Sequence, residues 1–263
     1  YRSDEENSRS DHWDMPNPFI LRGVSQAWAN EAGRTKRVLD LSCGDGDTAR
    51  LLSENAFKVV VTEYDHPPFL GKHISRVGGV NLNEPLPFKT GIFDGVNLTE
   101  VIEHIEDQPR LLREIGRVLK VGGVVVISTP NVLNVLSRLR FLFTGFVRGR
   151  VRPVHYTRGP GQAPNIYLIH FYELYYLLFH YGFVVEELKT TQVKFAPVFF
   201  AIFLYPFMWL FSLEAVIHAE KDPRQRQINW QILKYFFSAP LLFSDNIVVK
   251  ARRKTDDENR PGQ

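Results

Sequence analysis

Apolar positions along the chain fall into two rhythms. Short apolar runs bounded by turn residues, at Val38–Leu41, FKVVVTE (57–63), Phe93–Leu98 and VVVIST (124–129), read as buried strands. Between them the apolar residues step at helical spacing. Leu111, Leu112, Ile115 and Leu119 form one inner face over Gln108–Leu119, and Ala49, Leu51 and Leu52 form another over residues 46–55. Pro18–Asn30 predicts a helix before the first strand. A short third strand should end near Val80, and Gly122-Gly123 turn the chain into a fifth strand that stops at Pro130. Strands alternating with helices predict an α/β fold, a doubly wound and mostly parallel sheet covered on both faces.

Beyond Asn131 the rhythm changes. Val132–Phe146 reads as a helix, followed by an irregular Gly/Pro/Arg stretch to about Pro164. Ile169–Tyr181 is an aromatic-rich helix closed by Gly182, Phe183–Thr190 a sixth strand, and Asn246–Ala251 a last strand. The expected organisation is an N-terminal tail and helix over 1–35, the α/β domain over 36–191 and 244–253, a helical aromatic insertion over 192–243, and a disordered tail over 254–263. The polar first ten or so residues read as disordered too, with no leader pattern.

The densest chemistry lies in RVLDLSCGDGDTAR (37–50). An apolar strand runs into Asp40, then a tight turn through Gly44 and Gly46 opens a helix. Such a turn lets backbone N–H groups approach a nucleotide closely, although glycine turns also serve plain strand-to-helix packing. Glu63 ends the second strand, twenty-three residues after Asp40, where a carboxylate can accept two hydrogen bonds from a ribose diol; Asp65 competes for that role. Asn81-Leu82 follows the third strand, where a polar side chain could read an adenine amino group. NLTEVIEHIED (97–107) follows the fourth and would line the carboxyl edge of the sheet.

VLDLSCGDGD, VNLNEPLPF, FDGVNLTEVIEH and LLREIGRVLKVGGVVVISTPN together resemble the seven-stranded, class I S-adenosylmethionine-dependent methyltransferases, in the ubiquinone-biosynthesis O-methyltransferase and small-molecule branch. The resemblance runs from about Arg37 to Asn131 and more loosely over His170–Glu187. It implies a last strand antiparallel and inserted beside strand six, which suits Asn246–Ala251. It also implies that Asp40, Cys43, Gly44 and Gly46 hold the methionine portion, Glu63 the ribose, Asn81 and Leu82 the adenine, and Thr99 the sulfonium side. Three departures stand out: Ser42 occupies the usual first glycine of the loop, Asp47 stands where a third glycine would be, and Asn81 takes the place of a more usual aspartate.

O-methylation also requires removal of a hydroxyl proton, by a base or by a metal that lowers its pKa. If EVIEH begins a helix, Glu100, Glu103 and His104 share one face. His104 then serves as base with the two carboxylates beside it, or the three join His170 (or His155) around a divalent ion, as in some members of the resembled families. A bracing role beneath the cofactor is the third reading.

Two further features bear on the acceptor. No Asp or Glu occurs from Ile115 to Tyr172, while Arg138, Arg140, Arg148, Arg150, Arg152 and Arg158 accumulate, which suits an anionic ligand or surface. FAPVFFAIFLYPFMWLFSL (195–213) carries no charge for nineteen positions, but Pro197, Pro206 and the flanking strands argue against a span. The readings are a membrane contact lying at the interface, through 195–240 with Tyr205 and Trp209 at headgroup depth, a substrate lid, or a homodimer element. The expected acceptor is thus a small-molecule, lipid-linked or saccharide hydroxyl, an anionic acceptor among them.

The remaining composition sets bounds. Twenty Phe and ten Tyr make the chain unusually aromatic, while a net charge of +3 disfavours nucleic acid and so the rival reading of an RNA 2′-O-methyltransferase. A lone cysteine, Cys43, excludes an intrachain disulfide and fits a cytoplasmic protein, peripheral on the inner face of a membrane. A non-catalytic cofactor-binding scaffold is the rival outside enzymes.

Overall fold

Each apolar run divides its side chains between two cores. Val38, Val59, Val61, Val124, Val126 and Val248 point to one face of a sheet, and Leu39, Val60, Val96, Val125, Ile127 and Val249 to the other. Period-two alternation inside an all-apolar run is what a strand buried on both faces requires. The computed structural model describes residues 17–31, 36–65, 68, 70–147, 167–193, 195–218 and 220–254. The disordered stretch expected at the N-terminus, the tail after Lys254, His155 and the arginines from Arg148 to Arg158 lie outside them.

The strands are β1 (Arg37–Asp40), β2 (Lys58–Thr62), β3 (Ser75–Val77), β4 (Phe93–Thr99), β5 (Leu119–Pro130), β6 (Phe183–Thr190) and β7 (Asn246–Arg253). They form one seven-stranded sheet in the order β3-β2-β1-β4-β5-β7-β6, in which β7 alone runs antiparallel to its neighbours. Helices α1 (Pro18–Ala29) and α2 (Asp47–Glu54) cover the first face through Ile20, Val24, Trp28, Ala49 and Leu52. On the second face α3 (Gln108–Val118) packs Leu111, Leu112 and Ile115. α4 (Val135–Thr144) follows β5, and α5 (Phe171–His180) adds Phe171, Leu174 and Leu178 to that second core. The expected doubly wound α/β fold with an antiparallel last strand is therefore the observed one.

Boundaries shift where tertiary contacts intervene. The third strand stops at Val77, yet the chain stays beside β2 because the Val80 N–H donates to the Glu63 carbonyl at 3.1 Å. β5 starts at Leu119, before the glycine pair, and an irregularity between Phe93 and Gly95 of β4 absorbs the mismatch. Trp28 sits so close over β4 that a Cβ on Gly95 would lie 2.4 Å from its ring.

The insertion consists of α6 (Phe195–Leu213), a π-helical stretch Glu214–His218, α7 (Pro223–Phe236) and α8 (Ala239–Phe243). Val135 of α4, Ala201 of α6 and Leu242 of α8 form a small core of their own, joined by Leu139, Leu204, Met208 and Phe243. Asn131, at the end of β5, pins the insertion's return: its side-chain amide donates to the carbonyls of Pro240, Leu241 and Ser244 at 3.1, 3.0 and 2.8 Å.

Candidate functional site

The strand order reverses at β1, with β2 on one side and β4 on the other, and ligands of open α/β sheets bind in the crevice outside the carboxyl ends at such a point. Here that edge is crossed by the loop from Leu41 to Gly46. Ser42, Gly44 and Gly46 all have left-handed backbone, at φ 53, 51 and 82°. A Cβ on Gly46 would meet Leu70 at 2.3 Å, whereas nothing lies within 4 Å of where a Cβ on Gly44 would stand. The loop is thus packed from below at Gly46 and open above at Gly44. Ser42 occupies a conformation that disfavours side chains. Its N–H donates to Thr62 Oγ1 at 3.2 Å and its hydroxyl to Glu63 Oε1 at 3.3 Å.

Glu63 follows β2 directly and laces the loop to it. Its Oε2 accepts from the Gly44 N–H at 3.0 Å, and Oε1 from the Tyr64 N–H at 3.0 Å. Asp65 instead offers its backbone carbonyl to the Gly79 N–H at 3.2 Å. Glu63 is therefore the carboxylate set against the glycine loop.

Asp40 ends β1 beneath the loop, 2 % exposed. Burial raises its pKa to about 7 with help from the Glu63 charge, against the hydrogen bond from Asn97 Nδ2 to Oδ1 at 2.8 Å. Its Oδ2 is buried without a hydrogen-bond partner. Asn97 anchors a wider network, accepting from Trp28 Nε1 at 3.1 Å and donating to Thr99 Oγ1 at 3.0 Å, while Thr48 donates to Thr99 at 3.3 Å. Cys43 has its thiol pKa pushed up to about 12, first by burial and then by the charges of Asp40 and Glu63. It stays a neutral thiol at neutral pH.

Asn81 closes a local turn, accepting from the Asn83 N–H at 3.0 Å and donating to Glu84 at 3.3 Å. The side chain of Leu82 is buried in the core, so only its backbone remains to meet a ligand.

The face expected to join Glu100, Glu103 and His104 does not form. EVIEH makes a single 3₁₀ turn, Ile102–His104, and Glu100 precedes it at φ 57°. The Glu100 carboxylate turns to β5 and β7, accepting from Ser128 Oγ at 2.8 Å and from Asn246 Nδ2 at 2.7 Å. Glu103 is 1 % exposed and accepts from Thr129 Oγ1 at 3.2 Å. His104 alone of the three is exposed. His170 lies at the start of α5, its Nδ1 3.2 Å from the Glu173 carboxylate. Among the described residues no three His, Cys, Asp or Glu side chains converge as a metal ion would need. The i, i+3, i+4 spacing fails because the Glu100 N–H is held by the Ser128 carbonyl and hydroxyl, at 3.2 and 3.1 Å, which fixes a non-helical turn.

Comparison with known proteins bears on this edge directly. A family described as "Methyltransferase domain" matches residues 14–188, most of the chain. This chain belongs to that methyltransferase-domain family. The ubiquinone/menaquinone biosynthesis C-methyltransferase of Proteus mirabilis is 29% identical over 169 residues, 56% of this chain and 67% of the relative. The ubiquinone biosynthesis O-methyltransferase of Xanthomonas oryzae pv. oryzae is 35% identical over 128 residues, 44% and 50%. A probable S-adenosylmethionine-dependent methyltransferase of Mycobacterium tuberculosis is 36% identical over 97 residues, 36% and 35%. The chain thus matches only 35% to 67% of the length of these curated relatives. A S-adenosylmethionine-dependent methyltransferase structure from Archaeoglobus fulgidus shares the fold at TM-score 0.52 and 17% identity, over 89% of this chain and 94% of the other.

Relatives and structural neighbours named for S-adenosylmethionine imply that cofactor, and this chain's own residues fit it. A molecule with an ammonium and a sulfonium suits an edge that carries the Asp40 and Glu63 carboxylates, one with a buried oxygen lacking a partner. The open space above Gly44 gives its backbone room to approach. Asn97, Trp28, Ser128 and Asn246 organise this edge, and sequence reasoning singled out none of them. An asparagine inside an apolar strand was the one available signal; Trp28 and Asn246 come from distant segments.

Proposed function

We propose that the chain transfers a methyl group from S-adenosylmethionine to a hydroxyl of a small apolar or lipid-linked acceptor. The observation that carries this reading is the pairing, at one sheet edge, of the Asp40–Glu63 loop with the base of an apolar helical insertion. Asn246, where the insertion rejoins the sheet, donates to Glu100 at 2.7 Å, and Glu100 follows directly on Thr99. An acceptor arriving along the insertion therefore arrives beside the methyl donor's loop.

When bound, S-adenosylmethionine supplies an electrophilic methyl carbon. The protein's part is positioning and proton removal. Asp40 and Glu63 orient the cationic and ribose portions, and Thr99, held by Asn97 and Thr48, borders the sulfonium side. Glu100 and Glu103 brace the β4 turn against β5 and β7, which leaves His104 as the exposed group at that turn to accept the acceptor's hydroxyl proton. Relatives named for O-methylation and for C-methylation both match the chain, and either transfer releases a proton that a base at this turn can take.

The test is methyl transfer from radiolabelled S-adenosylmethionine to phenolic and aliphatic lipid hydroxyls. His104→Ala should lower turnover by about a hundredfold or more while S-adenosylhomocysteine affinity stays within about twofold. Equal turnover removes His104 from proton transfer. Absence of S-adenosylhomocysteine binding to the unaltered chain overturns the enzyme reading as a whole.

A further inference from the structure

The outer side of α6 has no counterpart in the fold. An 18-residue window within Phe195–His218 has a mean hydropathy of 1.9, and the helix is long and apolar enough to cross a membrane, with 11% of that window buried. Only the row through Pro197, Ala201, Leu204 and Met208 packs on α4 and α8. Ile202, Phe203, Phe207, Leu210 and Phe211 face outward, each more than half exposed. The end of α4 adds exposed apolar side chains of its own, Phe141, Leu142 and Phe143 at 56, 73 and 80 %. Soluble surfaces rarely carry so much contiguous apolar area without a partner.

Topology excludes a span. The insertion leaves β6 and returns on β7, antiparallel neighbours paired at Thr190 and Ile247, and a bridge between Val193 and Ser244 closes its base. Both ends of the segment are thus held on one side. α7 also folds back on α6, with Trp209 packed against Trp230 and Phe237 and Tyr205 against Phe237, at ring distances of 6.3, 5.0 and 5.1 Å. Trp209 therefore braces the hairpin rather than standing free at headgroup depth.

We propose that the α4–α6 face docks on the surface of a bilayer containing anionic lipids, seating its phenylalanines among the acyl chains without crossing. Charge selects this occupant. Arg140 is exposed beside Phe141, and Arg148, Arg150, Arg152 and Arg158 follow in sequence within a stretch, Ile115–Tyr172, that carries no acid. A two-fold contact through this face sets Arg140 against its own copy with no acid on α4 to pair it, whereas an anionic leaflet complements it. Docking stands on this surface alone; it rests on the proposed methyl transfer only in that it would hand a lipid-linked acceptor to the edge at Glu100.

The full chain is floated with vesicles of phosphatidylcholine alone and with vesicles containing phosphatidylglycerol. Binding should favour the anionic vesicles by about tenfold or more and fall with added salt. The double variant Phe203→Ser/Phe207→Ser should lose about tenfold in partitioning at an unchanged thermal midpoint, and Arg140→Glu should lose the preference for anionic vesicles in part. Absence of binding to either vesicle overturns the proposal, as does undiminished binding by the double variant. A reversible dimer in sedimentation that the double variant abolishes, without vesicle binding, assigns the face to a second copy instead. S-adenosylhomocysteine affinity, measured in parallel, separates failure of docking from failure of the enzyme reading.

Discussion

Asp40 concentrates the conflict that makes this edge work. Its carboxyl is buried with one oxygen unpartnered, so its pKa rises to about 7, while the proposed ligand brings positive charge. A cation favours the ionised form, so S-adenosylhomocysteine affinity should rise as pH increases from 6 to 8 and level off above. Calorimetry across that range checks the sign, and Asp40→Asn should weaken binding about tenfold or more and remove the dependence. Glu63→Ala should cost about 1.5–3 kcal/mol of cofactor affinity, since it removes charge-assisted bonds and loosens the loop at Gly44; unchanged affinity moves the ribose role to Asp65. Asp40, Gly44, Gly46 and Glu63 were legible because strand ends and left-handed turns impose residue types locally. The departures were legible but their consequence was not. Ser42 takes the left-handed backbone of the glycine it replaces, and its hydroxyl bond to Glu63 depends on β2 lying alongside.

Whole elements followed the apolar rhythm wherever packing and rhythm agreed. They diverged at EVIEH, whose helical spacing yields to the hold of Ser128 on the Glu100 backbone, a contact between neighbouring strands that no local pattern contains. The insertion is attached by a comparable long-range device. Asn131→Ala removes the amide that three carbonyls at the insertion's return share and should cost about 2–3 kcal/mol, with hydrogen-exchange protection falling over residues 239–248 before the rest of the sheet. Gly95 tests the α1 contact in the same way. Gly95→Ala drives a methyl to within 2.4 Å of Trp28 and should destabilise by about 1–3 kcal/mol in chemical denaturation, also disturbing Asn97, which Trp28 binds.

Across the whole molecule, two carboxylates give stability opposite dependences on pH. Burial alone would raise the pKa of Glu31, but hydrogen bonds from Lys36, Arg252 and Lys250 override it and bring the value down to about 2. Glu31 therefore adds stability at neutral pH that is lost as pH falls from the ordinary carboxylate range, near 4.5, through about 2. Asp40 acts the other way: between its ordinary 3.8 and about 7 the folded chain holds a proton that the unfolded chain lacks, so stability declines as pH rises through that window. Denaturant midpoints from pH 2 to 8 should show both limbs, the first flattened by Glu31→Gln and the second by Asp40→Asn. Neither shift was legible in sequence, because Glu31 meets Lys250 and Arg252 more than two hundred positions along the chain.

Local residue pattern specified the two-faced sheet, the order of its elements, the glycine loop after β1 and the acid after β2. These depend on backbone preferences and on alternation of apolar residues, both of which act over a few positions. That Glu100 and Glu103 turn away from His104, and that Asn97 and Trp28 hold Asp40 in place, follows from long-range packing. So does the outward exposure of Ile202, Phe203, Phe207, Leu210 and Phe211 on α6 while Ala201 and Leu242 enter a small core. Each of those outcomes depends on what stands opposite a side chain in space, and burial, charge pairing and exposure are properties of the pair rather than of the residue.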